Sequence, residues 1–208
     1  PGSGDGRRWV NQLATTYREW AQSKGFETQV IDESQPEDPV ARVTLRIEGT
    51  GAFGLLRGEA GTHRIVEVIN DPRRKDVTQV ALMVLPVPGE DSEPLSMMDI
   101  ALSTAPARAT GQFLRKIRGT ARAIHRFSGT SALVAAATER AAQQAALQIL
   151  HGRLVSGKLS QPSGMHDDDP WGAVVRSYHF AKRATIKDPR TQASSSNPRD
   201  VLDGNLDV

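Results

Sequence analysis

The chain has 208 residues, of which 38% are hydrophobic and 24% charged, a composition typical of a globular protein with one or two modest cores. It contains no cysteine, which excludes disulfides and thiolate chemistry, and no apolar run of membrane-spanning length or signal peptide, so we expect a soluble protein without a membrane partner. The net charge is only +2, yet residues 94–160 hold nine Arg or Lys against two acids, which favours a polyanionic partner such as nucleic acid.

The first half of the chain predicts one helix followed by strands. An apolar stripe at helical spacing predicts an amphipathic helix over about residues 7–23, with four stripe residues in the core: Trp9, Leu13, Tyr17 and Trp20. Alternating segments separated by Pro and Gly predict strands at 26–31, 40–47, 63–68 and 77–85. A helix with antiparallel strands makes a small α+β domain.

The second half predicts another small sheet covered by a helix. Strands are expected near 97–103 and 121–127 and before residue 134, followed by an alanine-rich helix over 135–154. The tail after residue 171 should be mostly extended. We therefore expect three parts: a first domain of residues 1–93 and 171–208, a second α/β domain of residues 94–160, and a mobile linker at 161–170.

The segment between the two strands of the second domain is rich in cations. Residues 105–120 hold two glycines, one glutamine and four cations without any acid: Arg108, Arg115, Lys116 and Arg118. Glycine allows close backbone approach and cations attract phosphate, so these residues are candidate RNA-binding groups, together with Arg122 and Arg126 in the strand that follows. The alternative is a solvated basic loop.

No cofactor or metal site is expected. The five histidines are not spaced as a ligand cluster, and no phosphate-binding loop, dinucleotide fingerprint or zinc-protease motif is present.

Several strings resemble bacterial class-I peptide chain release factors, nearest the type that reads UGA and UAA. Residues 17–26 (YREWAQSKGF) are similar to the family's opening helix, residues 46–66 carry strings such as RIEG and GTHRIV that resemble its central signature, and residues 186–191 (IKDPRT) and 201–207 (VLDGNLD) resemble its C-terminal strand and tail. The resemblance implies a release-factor-like α+β core with a loop of the Gly-Gly-Gln type. It also implies that the family's N-terminal helical domain is absent from this chain.

The chain departs from the family at the stop-codon reader. The family carries Ser-Pro-Phe and then His-Thr after the string that matches residues 63–66, whereas this chain has a shorter segment with Asp76-Val77 in place of His-Thr. Codon reading depends on specific polar contacts and stacking, whose loss costs orders of magnitude in discrimination. The decoding-loop positions are therefore degenerate here, at Asn70, Asp71, Arg73 and Arg74.

The chain also departs at the motif that, by resemblance, enters the peptidyl-transferase centre and helps water attack the peptidyl-tRNA ester. Gly111 and Gln112 match the last two residues of Gly-Gly-Gln, but Thr110 replaces the first glycine. Threonine is β-branched and resists backbone angles that glycine adopts readily, so the swap is expected to misplace the glutamine.

Two functions follow. The first is a ribosome-dependent peptidyl-tRNA hydrolase that releases nascent chains without reading a stop codon, in termination or rescue. The second is a catalytically inactive RNA-binding protein that regulates or stabilises a transcript. The favoured prediction is a divergent release-factor homologue that binds ribosomal RNA and peptidyl-tRNA and acts in termination or rescue, without stop-codon recognition and with weak or absent hydrolysis; the transcript-binding protein is the alternative. Its expected location is the cytoplasm, or an organelle stroma or matrix.

Overall fold

The computed structural model describes residues 3–34, 41–68, 75–89, 92–106, 119–158, 173–181 and 183–206. The chain divides into two compact units. Unit 1 comprises Pro1–Val30, Ser34–Val84 and Ser163–Val208, and unit 2 comprises Ile31–Glu33 and Leu85–Pro162. The predicted linker at 161–170 lies outside the described residues, and the predicted domain boundaries stay a prediction.

The described residues form four α-helices and ten strands. In chain order these are α1 (Ser3–Ser23), β1 (Glu27–Glu33), β2 (Val43–Glu48), α2 (Ala52–Leu56), β3 (Gly61–Val68), β4 (Lys75–Leu82), β5 (Ile100–Pro106), β6 (Gly119–His125), β7 (Ser131–Ala136), α3 (Glu139–Lys158), β8 (Val174–Phe180), β9 (Thr185–Lys187), β10 (Ser194–Ser195) and α4 (Pro198–Leu202). Short 3₁₀ turns precede β3 at Arg57–Glu59 and β5 at Met97–Asp99.

Unit 1 is built on a five-stranded sheet in the order β10-β9-β8-β3-β4, and a separate two-stranded sheet joins β1 to β2. The α+β class is confirmed, with one difference: β3 and β8 pair in parallel, whereas the other ladders of the five-stranded sheet are antiparallel. Parallel pairing requires a long crossover connection, and here most of unit 2 lies in the chain between the two strands. The alternating pattern of a sequence indicates hairpins between consecutive strands. It does not show that a strand such as β3 pairs with one as distant in the chain as β8.

Helix α1 packs its predicted stripe on one face of this sheet. Trp9, Leu13, Tyr17 and Trp20 are all at most 5% exposed, and the Trp9 ring stacks 5.1 Å from the ring of Phe180 on β8. Burial of these large apolar side chains supplies most of the attraction between helix and sheet. The helix begins at Ser3, four residues before the predicted start.

The tail of the chain is less extended than predicted. Residues 198–202 form the short helix α4, which begins with proline, a residue whose fixed φ suits the first helical turn. Val201 of α4 is fully buried in the core of unit 1, and the Thr16 hydroxyl of α1 donates to the Leu202 carbonyl over 2.7 Å. Burial against α1 therefore gives the tail a helical turn that its Ser- and Pro-rich sequence does not suggest.

Unit 2 is a three-stranded antiparallel sheet, β5-β6-β7, with α3 packed on one face. Small residues line this contact, and Leu150 of α3 is fully buried in it. The predicted helix start at residue 135 is wrong, because Ala135 and Ala136 pair with β6 and complete β7. Alanine favours helix intrinsically, but the sheet contact overrides that preference.

None of the helices in the described ranges is long and apolar enough to cross a membrane.

Candidate nucleic-acid interface

Most of the sequence-predicted site residues lie outside the described residues. These are the residues of the basic loop (Arg108, Thr110, Gly111, Gln112, Arg115, Lys116 and Arg118) and of the degenerate decoding loop (Asn70, Asp71, Arg73 and Arg74). Their roles stay predictions. The structure does describe Arg122, Arg126 and the strands that flank both loops.

The two strands that flank the basic loop are paired up to its ends. Pro106 lies opposite Gly119 in the β5–β6 ladder, and the Thr120 hydroxyl donates to the Ala105 carbonyl over 2.9 Å. Gly119 also allows close packing, because a Cβ there would come 2.2 Å from the backbone nitrogen of Glu139 at the start of α3. Residues 107–118 are therefore attached at both ends to adjacent, packed strands.

Arg122 and Arg126 are both exposed, but the fold does not bring them together. Arg122 lies in β6 between Ser103 and Leu133, on the sheet face opposite the buried Ala121 and Ala123. Arg126 lies just beyond the far end of β6, where its N–H donates to the Asp99 carbonyl over 2.8 Å. At about 3.3 Å per strand residue, Arg126 is roughly 23 Å from the end of β6 that meets the basic loop. Arg122 is the better placed to act with that loop.

The strand end before the decoding-loop position is fastened to α1. Glu67, next to the last residue of β3, accepts hydrogen bonds from the Trp9 indole over 3.0 Å and from the Arg8 guanidinium. Arg8 also lies 5.0 Å from the centre of the Trp9 ring, a cation–π arrangement. The frame on this side of the segment is therefore held by a helix as well as by the sheet.

A buried polar network joins the elements of unit 1. The Glu59 carboxylate accepts from the Tyr17 hydroxyl at 2.8 Å and from two nitrogens of Arg176 at 2.7 and 3.2 Å. His63 approaches the Glu59 carbonyl through Nε2 and the Tyr178 hydroxyl through Nδ1, both at 3.1 Å. A carbonyl only accepts, so Nε2 carries the proton and Nδ1 accepts from Tyr178.

Charge is distributed in this network so that only one ion pair is buried. Burial alone would raise the pKa of Glu59, but Arg176 outweighs it and holds the pKa of that carboxyl below its usual value. Burial lowers the pKa of His63 to about 4, so its imidazole is neutral at pH 7. Both imidazole nitrogens are engaged, which leaves none to take a proton from a substrate. The network is a structural core and not an acid–base site.

The opposite face of the five-stranded sheet carries basic side chains that the sequence did not mark as binding residues. Arg64, His179 and Lys187 alternate with buried neighbours along β3, β8 and β9 and so lie on the side away from α1. The alternation of apolar and polar residues within each strand could have shown that these side chains lie on the solvent-facing side. The pairing of β3 with β8, which brings the three together, was not visible in the sequence.

Within the residues that the structure describes, no group of three or more His, Asp or Glu is arranged to hold a metal ion.

The comparisons with known proteins agree with this geometry. Residues 1–71 match the family model described as PCRF domain. Peptide chain release factor 2 of Phenylobacterium zucineum is 31% identical over 222 residues, and that of Thermosipho africanus is 29% identical over 225 residues; the match spans all of this chain and 60% of each relative. RF2 of Thermus thermophilus is similar with a TM-score of 0.74 and 25% identity, over 99% of this chain and 62% of that chain.

The comparisons support a relationship to the class-I peptide chain release factors along the whole of this chain. The resemblance drawn from the sequence strings is thereby confirmed, as is the release-factor-like α+β fold. The chain spans about 60% of the length of the curated release factors that it matches.

We expect this fold to be strongly destabilised when one partner of the buried Glu59–Arg176 pair is removed. Glu59→Gln leaves the Arg176 charge buried without a counter-ion and should lower the free energy of unfolding by about 3–5 kcal/mol. The matched control is Glu48→Gln, because Glu48 pairs with Arg46 while its own side chain is 52% exposed. That control should cost less than about 1 kcal/mol. Urea denaturation at pH 7 measures both, and equal losses would contradict the assignment.

His63 should make stability depend on pH. Its folded pKa of about 4 lies below the ordinary value of 6.5, so the folded state binds fewer protons than the unfolded state between these values. Stability is therefore retained above pH 6.5 and lost as the pH falls towards 4, by roughly 3 kcal/mol from this group. Denaturation series at pH 7 and 4.5 should show a smaller loss in His63→Gln than in the unaltered protein. An identical loss in both would exclude this role.

Proposed function

We propose that this chain is a release-factor homologue that binds the ribosome and acts in translation termination or rescue, without reading a stop codon and with weak or absent peptidyl-tRNA hydrolysis. The observation that carries the proposal is a contrast. The chain is similar to release factors along its whole length. Its sequence departs from the resembled motifs at the decoding loop and at the Gly-Gly-Gln position. The transcript-binding alternative has no comparable support.

The retained frame supports ribosome binding. The strands beside both loops are paired up to the loop ends. The end of β3 that precedes the decoding-loop position is also bound to α1, through the hydrogen bond between Glu67 and Trp9. Such pairing fixes the two ends of each loop, which lowers the entropy lost when a large partner binds beside them. The proposed partners are ribosomal RNA and peptidyl-tRNA, in the cytoplasm or in an organelle stroma or matrix.

The proposed chemistry at the basic loop is limited by Thr110. The loop sequence contains no carboxylate or histidine that would serve as a general base, so positioning of the attacking water by Gln112 would have to supply the rate. The backbone N–H of Gln112 would stabilise the developing charge, and Gly111 would allow the turn that places it. A branched side chain at position 110 narrows the available backbone angles and opposes that turn.

Binding to ribosomes is expected to be indifferent to the codon in the A site, because Ser-Pro-Phe and His-Thr are both missing. The measurement is the affinity of the chain for ribosomes programmed with UAA, UGA or a sense codon. We expect the three values to agree within a few-fold. A preference of about tenfold, roughly 1.4 kcal/mol, for either stop codon would show that decoding survives.

Release of labelled peptide from stalled ribosomes should be far slower than with an ordinary release factor. Thr110→Gly restores the motif and should raise the rate, while Gly111→Ala should abolish any residual activity. Ala109→Gly is the matched control, because it adds a glycine to the same loop without restoring the motif, and it should leave the rate unchanged. Fast release by the unaltered chain would contradict the slow-site argument. No release from Thr110→Gly would leave a binding role alone.

A further inference from the structure

The face of the five-stranded sheet that points away from α1 carries a continuous polar row. Five residues lie side by side in register, one from each strand, from β4 to β10: Gln79, Arg64, Ser177, Lys187 and Ser194. In the next row, His179 lies opposite Val66 and Thr185, and one row further Lys75 lies opposite Val68. The sheet therefore presents four basic side chains on one surface, which we call the basic face.

The charges of the basic face are exposed and uncompensated by acids of the same strands. Arg64, Lys75 and Lys187 are exposed, and none of the strand residues described on this face is an acid. The acids of β3 and β4, Glu67 and Asp76, lie opposite each other on the other face, where Glu67 binds Trp9.

His179 lies among the cations of the basic face. Partial burial lowers the pKa of its imidazole, and Arg64 of β3, Lys187 of β9 and Lys75 of β4 lower it further. Cations from three different strands therefore act on one imidazole. An anion at this point would relieve their mutual repulsion.

We infer that the basic face binds the sugar–phosphate backbone of RNA. Arg64 and Lys187 lie two strands apart in one row, about 10 Å, with the Ser177 hydroxyl between them. Two flexible cationic side chains separated by a hydrogen-bonding group suit the repeated phosphates of a nucleic-acid strand, and Gln79 and Ser194 extend the row with further hydrogen-bonding groups.

The chemistry of the face favours RNA backbone over base recognition or an apolar protein partner. Val77 is the one exposed large hydrophobic residue among the described strand residues of the face, and no Phe, Tyr or Trp lies there to stack on bases. Binding should therefore be indifferent to sequence and sensitive to salt. The choice of RNA over another polyanion rests on the proposed ribosomal function, whereas the phosphate chemistry rests on the face alone.

The test is binding of a 20-nucleotide oligo(U) to the whole chain across a salt series. The variant Arg64→Ala/Lys75→Ala/Lys187→Ala should weaken binding and reduce the slope of log K against log salt by about 2, since each phosphate contact to a single strand contributes about 0.7. The control variant Arg18→Ala/Arg140→Ala/Arg199→Ala removes the same charge from exposed positions elsewhere and should keep the slope of the unaltered chain. Equal slopes in both variants would overturn the inference.

A second readout separates a specific site from general attraction. Phosphate beside His179 favours its protonated form, so oligo(U) affinity should rise as the pH falls from 7.5 to 6, and this rise should be smaller in His179→Gln. An equal rise in both would also overturn the assignment. So would binding to vesicles that contain phosphatidylserine with no binding to oligo(U).

Because the probe is a free oligonucleotide, the two proposals fail separately. Failure of the chain to bind ribosomes would count against the proposed function only, and equal slopes would count against the basic face only.

Discussion

The buried ion pair between Glu59 and Arg176 is the constraint on which unit 1 depends. It links the turn before β3 to β8, two segments 117 residues apart in the chain, and Arg176 also reaches the Leu206 carbonyl in the tail. Closing so long a connection is unfavourable in entropy, and the pair is buried at a cost in desolvation. Two further hydrogen bonds offset that cost: Tyr17 donates to the Glu59 carboxylate, and His63 donates to the Glu59 carbonyl. Together with the ion pair they fix the register of the parallel β3–β8 ladder.

The sequence strings that resemble release factors lie in the frame of unit 1. The strings around His63 and Asp188 form the core network and the Asp188–Arg190 pair. The proposed departures from the family pattern lie in the two loops. A frame is held by packing that tolerates few changes, whereas a loop changes at little cost in stability. Changes confined to the loops would therefore leave the proposed docking frame intact.

One face of the five-stranded sheet forms the core of unit 1, and the other is the proposed RNA-binding surface. The side towards α1 buries Ile65, Tyr178 and Ile186 around one ion pair. The opposite side keeps its cations in solvent, where their repulsion is screened and inexpensive. Strand alternation alone creates this division, because neighbouring residues of a strand point to opposite faces.

The sequence by itself determined the local elements and the family. The stripe from Trp9 to Trp20 predicts α1, and alternation predicts most strands, since both depend on short-range periodicity. Only the tertiary structure decided that β8 pairs in parallel with β3, that Ala135 and Ala136 belong to a strand, and that α4 is helical. The basic face was hidden for the same reason: Arg64, His179 and Lys187 become neighbours through pairing between distant segments, and such pairing is set by packing of the whole sheet and not by any local pattern.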